Sequence, residues 1–179
     1  ILIIVADQLS QQALRVYGNR DSRTPNIDRI AEDGVAFPQC YTPCPLCQPA
    51  RAAYWTGRFP HETGVLSNGR KHPVPTLSES IPTLGELFAR AGYETMHFGK
   101  THDAGSLRGF HVEPHGSLPV DQVGPWTVNY DTTQDRYATE RTVEYLKGTH
   151  GTPFLAVADL NNPHNICGYV GDYAGPHED

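Results

Sequence analysis

The chain has 179 residues, 19% of them charged, and a formal net charge of −6. That length supports one sizeable hydrophobic core, and the acidic balance argues against a generic nucleic-acid surface, which would be basic. No apolar run approaches the ~20 residues that cross a bilayer, and the opening "ILIIVADQ" leads into an acid instead of a cleavage site, so no signal peptide is read there.

In chain order, Ile1 to Ala6 is a β-branched, continuously apolar run and reads as a fully buried strand. Thr24-Pro25 has the form of an N-cap and first helical residue, with Ile27, Ile30 and Ala31 on one face and Gly34 as the stop. A loop rich in Pro and Cys follows, then a short helix from Ala50 to Thr56 that Gly57 ends. Val65 to Pro82 is polar and Pro-rich, which predicts a surface excursion.

Ser80 to Ala91 is expected to be an amphipathic helix carrying Leu84, Leu87 and Phe88, with Gly92 at C′. Tyr93 to Phe98 reads as a strand and Gly99 to Pro125 mostly as loop. Asp135 to Lys147 is helical, and Pro153 to Asp159 is another apolar strand. A strand at the very start, and no closing element in "GDYAGPHED", lead us to expect a piece of a larger protein.

Strands alternating with helices imply βαβ units: an α/β fold with a mainly parallel sheet and helices on both faces. Ligands of such sheets gather beyond the C-terminal ends of the strands. Asp7 and Gln8 follow the first strand, "GKTH" (Gly99 to His102) the second, and "NNPH" (Asn161 to His164) the third. All three exits deliver polar residues suited to chemistry.

Each of these has a plain reading beside the functional one. Asp7 could cap the next turn or ligate a hard cation such as Ca²⁺ or Mg²⁺, with Gln8 adding a carbonyl oxygen. His102 and His164 taken singly could be ordinary loop histidines. Asn68, in "GVLSNG", could simply serve a surface turn.

The four cysteines, Cys40, Cys44, Cys47 and Cys167, do not form a disulfide framework, and no second ligand pair accompanies them for a structural zinc. Cys44-Pro-Leu-Cys47 could be a redox pair ahead of a helix. That reading leaves Pro49, Arg51 and Thr56-Gly57 without a purpose.

"CQPAR", continued by "AAYWTGRFPHETGV", resembles the C-x-P-x-R-x-x-x-x-T-G signature of the sulfatase family in the alkaline-phosphatase superfamily, with Cys47, Pro49, Arg51, Thr56 and Gly57 in the fixed positions. "TPNIDRIAEDGVAFPQCYTP" is similar to the family's lead-in, and "ILIIVADQ" to its first strand. "GYETMHFGKTH" and "PFLAVADLNNPH" resemble its later strand exits. Four ordered blocks span nearly the whole chain.

The resemblance implies an alkaline-phosphatase-like fold, with residues 1–179 forming the N-terminal portion of a single catalytic domain. It implies that Cys47 is oxidised after translation to formylglycine by a maturation enzyme. The hydrated aldehyde then cleaves a small-molecule or glycan sulfate ester with a bound Ca²⁺, or Mg²⁺.

By the same resemblance Cys47, Arg51 and His102 are catalytic, Lys100, His164 and Asn68 bind substrate, and Asp7, Gln8 and Cys47 hold the metal. His61 is placed near the mouth of the site. Gln8 stands where many members of the family have a second Asp, and the family's remaining metal ligands lie past this length.

The isolated chain is therefore expected to be inactive and to expose an unpaired sheet edge. Two alternatives remain: a phosphonate monoester or phosphodiester hydrolase of the same superfamily, and, more remotely, a thiol redox or metal-binding module using Cys44 and Cys47. No nucleic-acid partner and no membrane span are expected. Composition leaves the compartment open, with a periplasmic or secreted location favoured over the cytoplasm.

Overall fold

The computed structural model describes residues 1–69, 76–114 and 130–165, without the side chains of 130–133. Its strands are β1 (Leu2–Ala6), β2 (Glu94–Gly99), β3 (His111–Val112) and β4 (Phe154–Leu160). Its α-helices are α1 (Pro25–Asp33), α2 (Cys47–Thr56), α3 (Pro60–Thr63), α4 (Leu84–Arg90) and α5 (Tyr130–Lys147). Among the described residues no helix is long and apolar enough to cross a membrane.

The strands form one sheet in the order β1-β4-β2-β3, and every pairing is parallel. Register decides where the strand exits land. Asp159 on β4 stands opposite both Val5 on β1 and Gly99 on β2. The ladder runs one step further on each side, from Asp7 N to Leu160 O at 3.1 Å and from Lys100 N to Asp159 O at 2.8 Å. Asp7, Lys100 and Asn161 therefore leave the sheet side by side.

Alternation along a strand sends successive side chains to opposite faces. On one face Trp55 of α2 packs with Leu107 and Val157, and Ile3, Val5, Leu84, Phe110 and Val112 close around them. On the other, Tyr145 of α5 meets Phe98 and Phe154 at ring separations of 5.7 and 5.5 Å. Helices thus cover both faces of a parallel sheet, as the alternating pattern predicts.

Element boundaries differ from the sequence reading for identifiable reasons. The helix expected from Ser80 begins at Leu84, because Thr83 is its N-cap. Thr83 Oγ1 accepts from Glu86 N, and Glu86 Oε2 accepts from Thr83 N at 2.9 Å. That capping box is written in the sequence as T-x-x-E. The helix expected from Ala50 begins at Cys47, since Pro49 is tolerated in a first turn whose N–H groups need no helical acceptor. Gly57, at φ 67°, closes it in the left-handed conformation that glycine adopts without a steric penalty.

α1 has the expected bounds but not the expected chemistry. Thr24 Oγ1 donates to Asp28 Oδ1 at 3.0 Å instead of capping the helix, and Ile27 and Ile30 remain exposed.

The stretch read as a surface excursion and the one read as mostly loop are both anchored in the core. Val65 is fully buried beside Ala52 and Ala104, and Leu77 is buried with its N–H on Ala104 O. The segment after Gly99 contributes Leu107, Phe110 and the short β3. The expected sheet edge is present: among the described residues β1 pairs only with β4, and Ile4 stays 58% exposed.

Candidate active site

α2 begins at the mouth of the sheet, and its first residue is Cys47. Asn68 reaches back from the segment after α3, and its Oδ1 accepts from Gln48 N at 3.0 Å. A side chain twenty positions away thus satisfies one of the orphan N–H groups that open a helix. Cys40, Cys44 and Cys47 are all free thiols, and Cys167 lies outside the described residues.

One turn on from Cys47, Arg51 is 2% exposed. One of its terminal nitrogens donates to Asp159 Oδ2 at 2.5 Å and the other to Asp159 Oδ1 at 3.0 Å, a two-pronged pairing. The first nitrogen also donates to the carbonyls of Lys100 at 3.3 Å and Thr101 at 3.4 Å. The second faces Asp7 Oδ2 at 3.9 Å. Burial works against the guanidinium charge. The hydrogen bonds and attraction of Asp159, helped by Asp7, outweigh it, so Arg51 holds its proton more tightly than a free arginine does.

The three strand exits meet in front of this helix end. Lys100 Nζ contacts Asp7 Oδ2. His164 donates its backbone N–H to Asp7 O at 3.1 Å. Ligand-bearing atoms of Asp7, Cys47 and His164 all lie within 4.8 Å of one another. An acid and a base from two exits therefore surround the first residue of α2, with Lys100 against the same acid.

The remaining candidates adjoin this cluster through the chain. Gln8 follows Asp7 in the left-handed conformation, φ 63°, with its side chain exposed. His102, at φ 36°, is exposed and lies one residue past the Thr101 carbonyl that Arg51 binds. Gly99 shapes that exit, because a Cβ there would lie 2.0 Å from Asp159 O.

Three contributors went unread in the sequence. Asp159 and His97 are both 0% exposed, and His97 Nε2 lies 3.3 Å from Asp159 Oδ2. Asp135 on α5 accepts from Asn161 N at 2.6 Å, Asn162 N at 2.9 Å and Asn162 Nδ2 at 2.8 Å, fixing the turn that carries His164. The signal for Asp159 was an acid inside an otherwise apolar strand, which demands a partner when buried.

Chemically, the arrangement concentrates two cations, Arg51 and Lys100, around a free thiol at a helix N-terminus, with Asp7 and His164 in reach. It suits an anionic substrate. It also suits a hard cation in part, since Asp7 and an oxygen carried on residue 47 would be two members of an oxygen donor set.

The family model described as Sulfatase matches residues 1–178. The chain is 48% identical over 179 residues to the Delta 4,5-hexuronate-2-O-sulfatase of Bacteroides thetaiotaomicron, covering 99% of this chain and 37% of that protein. The solved structure of a 2-O GAG sulfatase superposes on the whole chain with TM-score 0.87 at 46% identity, and 38% of that protein is covered. The phosphonate monoester hydrolase of Agrobacterium radiobacter shares the fold, with TM-score 0.69 and 22% identity over 92% of this chain and 43% of its own. The chain thus spans less than two-fifths of the length of the two more similar proteins.

Proposed function

The chain belongs to the sulfatase family, and on that premise we propose that the whole protein hydrolyses a sulfate monoester using residue 47 as formylglycine. The proposed substrate is a sulfated hexuronate within a glycosaminoglycan-type glycan, in line with the hexuronate-2-O-sulfatase at 48% identity and the 2-O GAG sulfatase whose structure superposes on the chain. The observation that carries the reading is Cys47 at the first position of α2, with Arg51 one turn behind and Asp7 and His164 within reach.

As formylglycine hydrate, residue 47 would offer one hydroxyl oxygen to the sulfur as the bond from sulfur to the alcohol oxygen breaks; loss of the second hydroxyl's proton would then break the C–O bond to sulfate and restore the aldehyde. Asp7 and residue 47, with Gln8 as a further oxygen donor, would hold a Ca²⁺ or Mg²⁺, which when bound would supply charge that polarises sulfate and nucleophile. Everything else falls to side chains. Arg51, fixed by Asp159, stabilises negative charge at residue 47. Lys100 binds a sulfate oxygen as a point charge. His102 and His164 handle protons at the diol and at the leaving-group oxygen, a task imidazole suits near neutral pH. Asn68 holds the start of α2, where the anion would sit.

The test starts with mass spectrometry of the tryptic peptide ending at Arg51, taken from the whole protein made in its native host. Residue 47 is expected as an aldehyde that a carbonyl reagent traps. Sulfate release from a 2-O-sulfated unsaturated hexuronate disaccharide should then exceed turnover of aryl phosphonate monoesters and phosphodiesters. An intact thiol, in a host that matures other sulfatases, overturns the mechanism. Faster phosphonate or phosphodiester turnover moves the assignment to that hydrolase class.

A further inference from the structure

Asp159 is a carboxylate with no exposed surface in the middle of a parallel sheet. Burying a paired ion is a weak source of stability, because desolvation takes back much of the attraction, and a well-packed apolar pair is often as stable. Holding the fold together is therefore a poor explanation of why a charge stands there.

The geometry around it gives a better one. Asp159 engages both terminal nitrogens of Arg51, and His97 Nε2, 3.3 Å from Oδ2, steadies the carboxylate from behind. Among the described residues the other carboxylate near Arg51 is Asp7, at 3.9 Å. Asp7 is also the acid that meets Lys100 and lies within 4.8 Å of Cys47 and His164. Arg51 thus stands between two carboxylates and is bonded to the one that carries no other site duty.

We infer that Asp159 is a positioning residue that clamps the Arg51 guanidinium against the Lys100 and Thr101 carbonyls and keeps it off Asp7. This rests on the proposed sulfatase reading for its catalytic consequence, but not for its geometry. Without the clamp, Arg51 swings to the remaining carboxylate. Two losses follow together: charge stabilisation at residue 47 is misplaced, and Asp7 is drawn into an ion pair that competes with a cation.

The test is Asp159→Asn in the full-length protein, with formylglycine occupancy measured so that rates are per active site. A crystal structure of the variant is expected to show Arg51 turned toward Asp7. The value of kcat should fall ~100-fold, the scale of an ångström-sized misplacement, with KM within threefold. The Ca²⁺ concentration giving half of the maximal thermal shift should rise about tenfold (one decade, or ~1.4 kcal/mol).

In an Arg51→Met background, Asp159→Asn should add no further loss of kcat, because the residue acts through Arg51. A purely structural role would lower the melting temperature and leave these readouts unmoved. If the Asn variant does not fold, Asp159→Glu keeps the charge, displaces the oxygens by one methylene, and is read the same way. An unmoved Arg51, or losses that add in the double variant, overturns the inference. If the wild-type protein cleaves no sulfate ester, the functional reading fails, and the crystal structure still decides whether Asp159 clamps Arg51.

Discussion

Asp135 and Asn162 are joined twice: Asp135 Oδ2 accepts from the backbone N–H of Asn162 at 2.9 Å and from its Nδ2 at 2.8 Å. Oδ1 of the same carboxylate takes Asn161 N at 2.6 Å, so one helix side chain holds the turn between β4 and His164.

Replacing Asp135 by Ala removes all three bonds and leaves partly buried N–H groups without acceptors. A stability loss of about 1.5–3 kcal/mol is expected, the range for hydrogen bonds to a charged group. Since His164 rides on this turn, kcat/KM should fall ~10-fold or more in the folded fraction. Chemical denaturation and steady-state kinetics on the full-length variant check the two parts separately.

The two cysteines of Cys44-Pro-Leu-Cys47 should behave oppositely. Cys47→Ala should abolish sulfate release, because on the proposed mechanism it removes the nucleophile, while the melting temperature stays within a few degrees. Cys44→Ser should leave kcat/KM within about threefold, a surface-type effect for a half-buried thiol outside the cluster. Equal loss in both variants would favour a thiol pair and end the formylglycine reading.

Removing divalent cations with a chelator should lower activity, and added Ca²⁺ should restore it while raising the melting temperature, as any ligand of the native state does. Asp7→Asn should shift the Ca²⁺ requirement upward by ~10-fold or more and shrink the thermal shift, since it removes a charged oxygen donor. Calorimetric titration of the apo protein with Ca²⁺ measures this without reference to turnover.

Glu86 provides a pH signature outside the site. The Thr83 backbone N–H, which its carboxylate accepts, is the main cause holding its pKa below the usual carboxylate value, with Arg108 adding attraction. A depressed acid contributes stability that is present above the unfolded value, ~4.3, and is lost as pH falls through the lower folded value. Glu86→Gln should therefore cost about 0.5–1.5 kcal/mol at pH 7. The gap in melting temperature between variant and wild type should close in acid. A gap that stays constant to pH 3 would remove the charged cap from the account.

Much of this site was legible because its chemistry is encoded locally. Cys47 and Arg51 lie one turn apart on a helix, and the three strand exits each place a polar residue directly after an apolar run. What could not be read was pairing across the sheet. Asp159 looks like the end of a strand until register places it opposite Val5 and Gly99 and brings it under Arg51.

Asp135 and Asn68 act through contacts about twenty or more positions away, which no local pattern signals. The capping box at Thr83 is a different matter. It is local, written as T-x-x-E, and it starts α4 after Pro82 instead of at Ser80.

The strand order carries a consequence for synthesis. β1 is made well before β4, its only neighbour among the described residues. At ~5–20 residues per second, the ribosome takes about 7–30 s to travel from Ala6 to Phe154. Throughout that interval a five-residue apolar strand lacks β4, and Arg51 has no Asp159 to bond. An apolar strand thus waits through that whole interval for the strand that covers its edge, and its folding should depend on a holding chaperone.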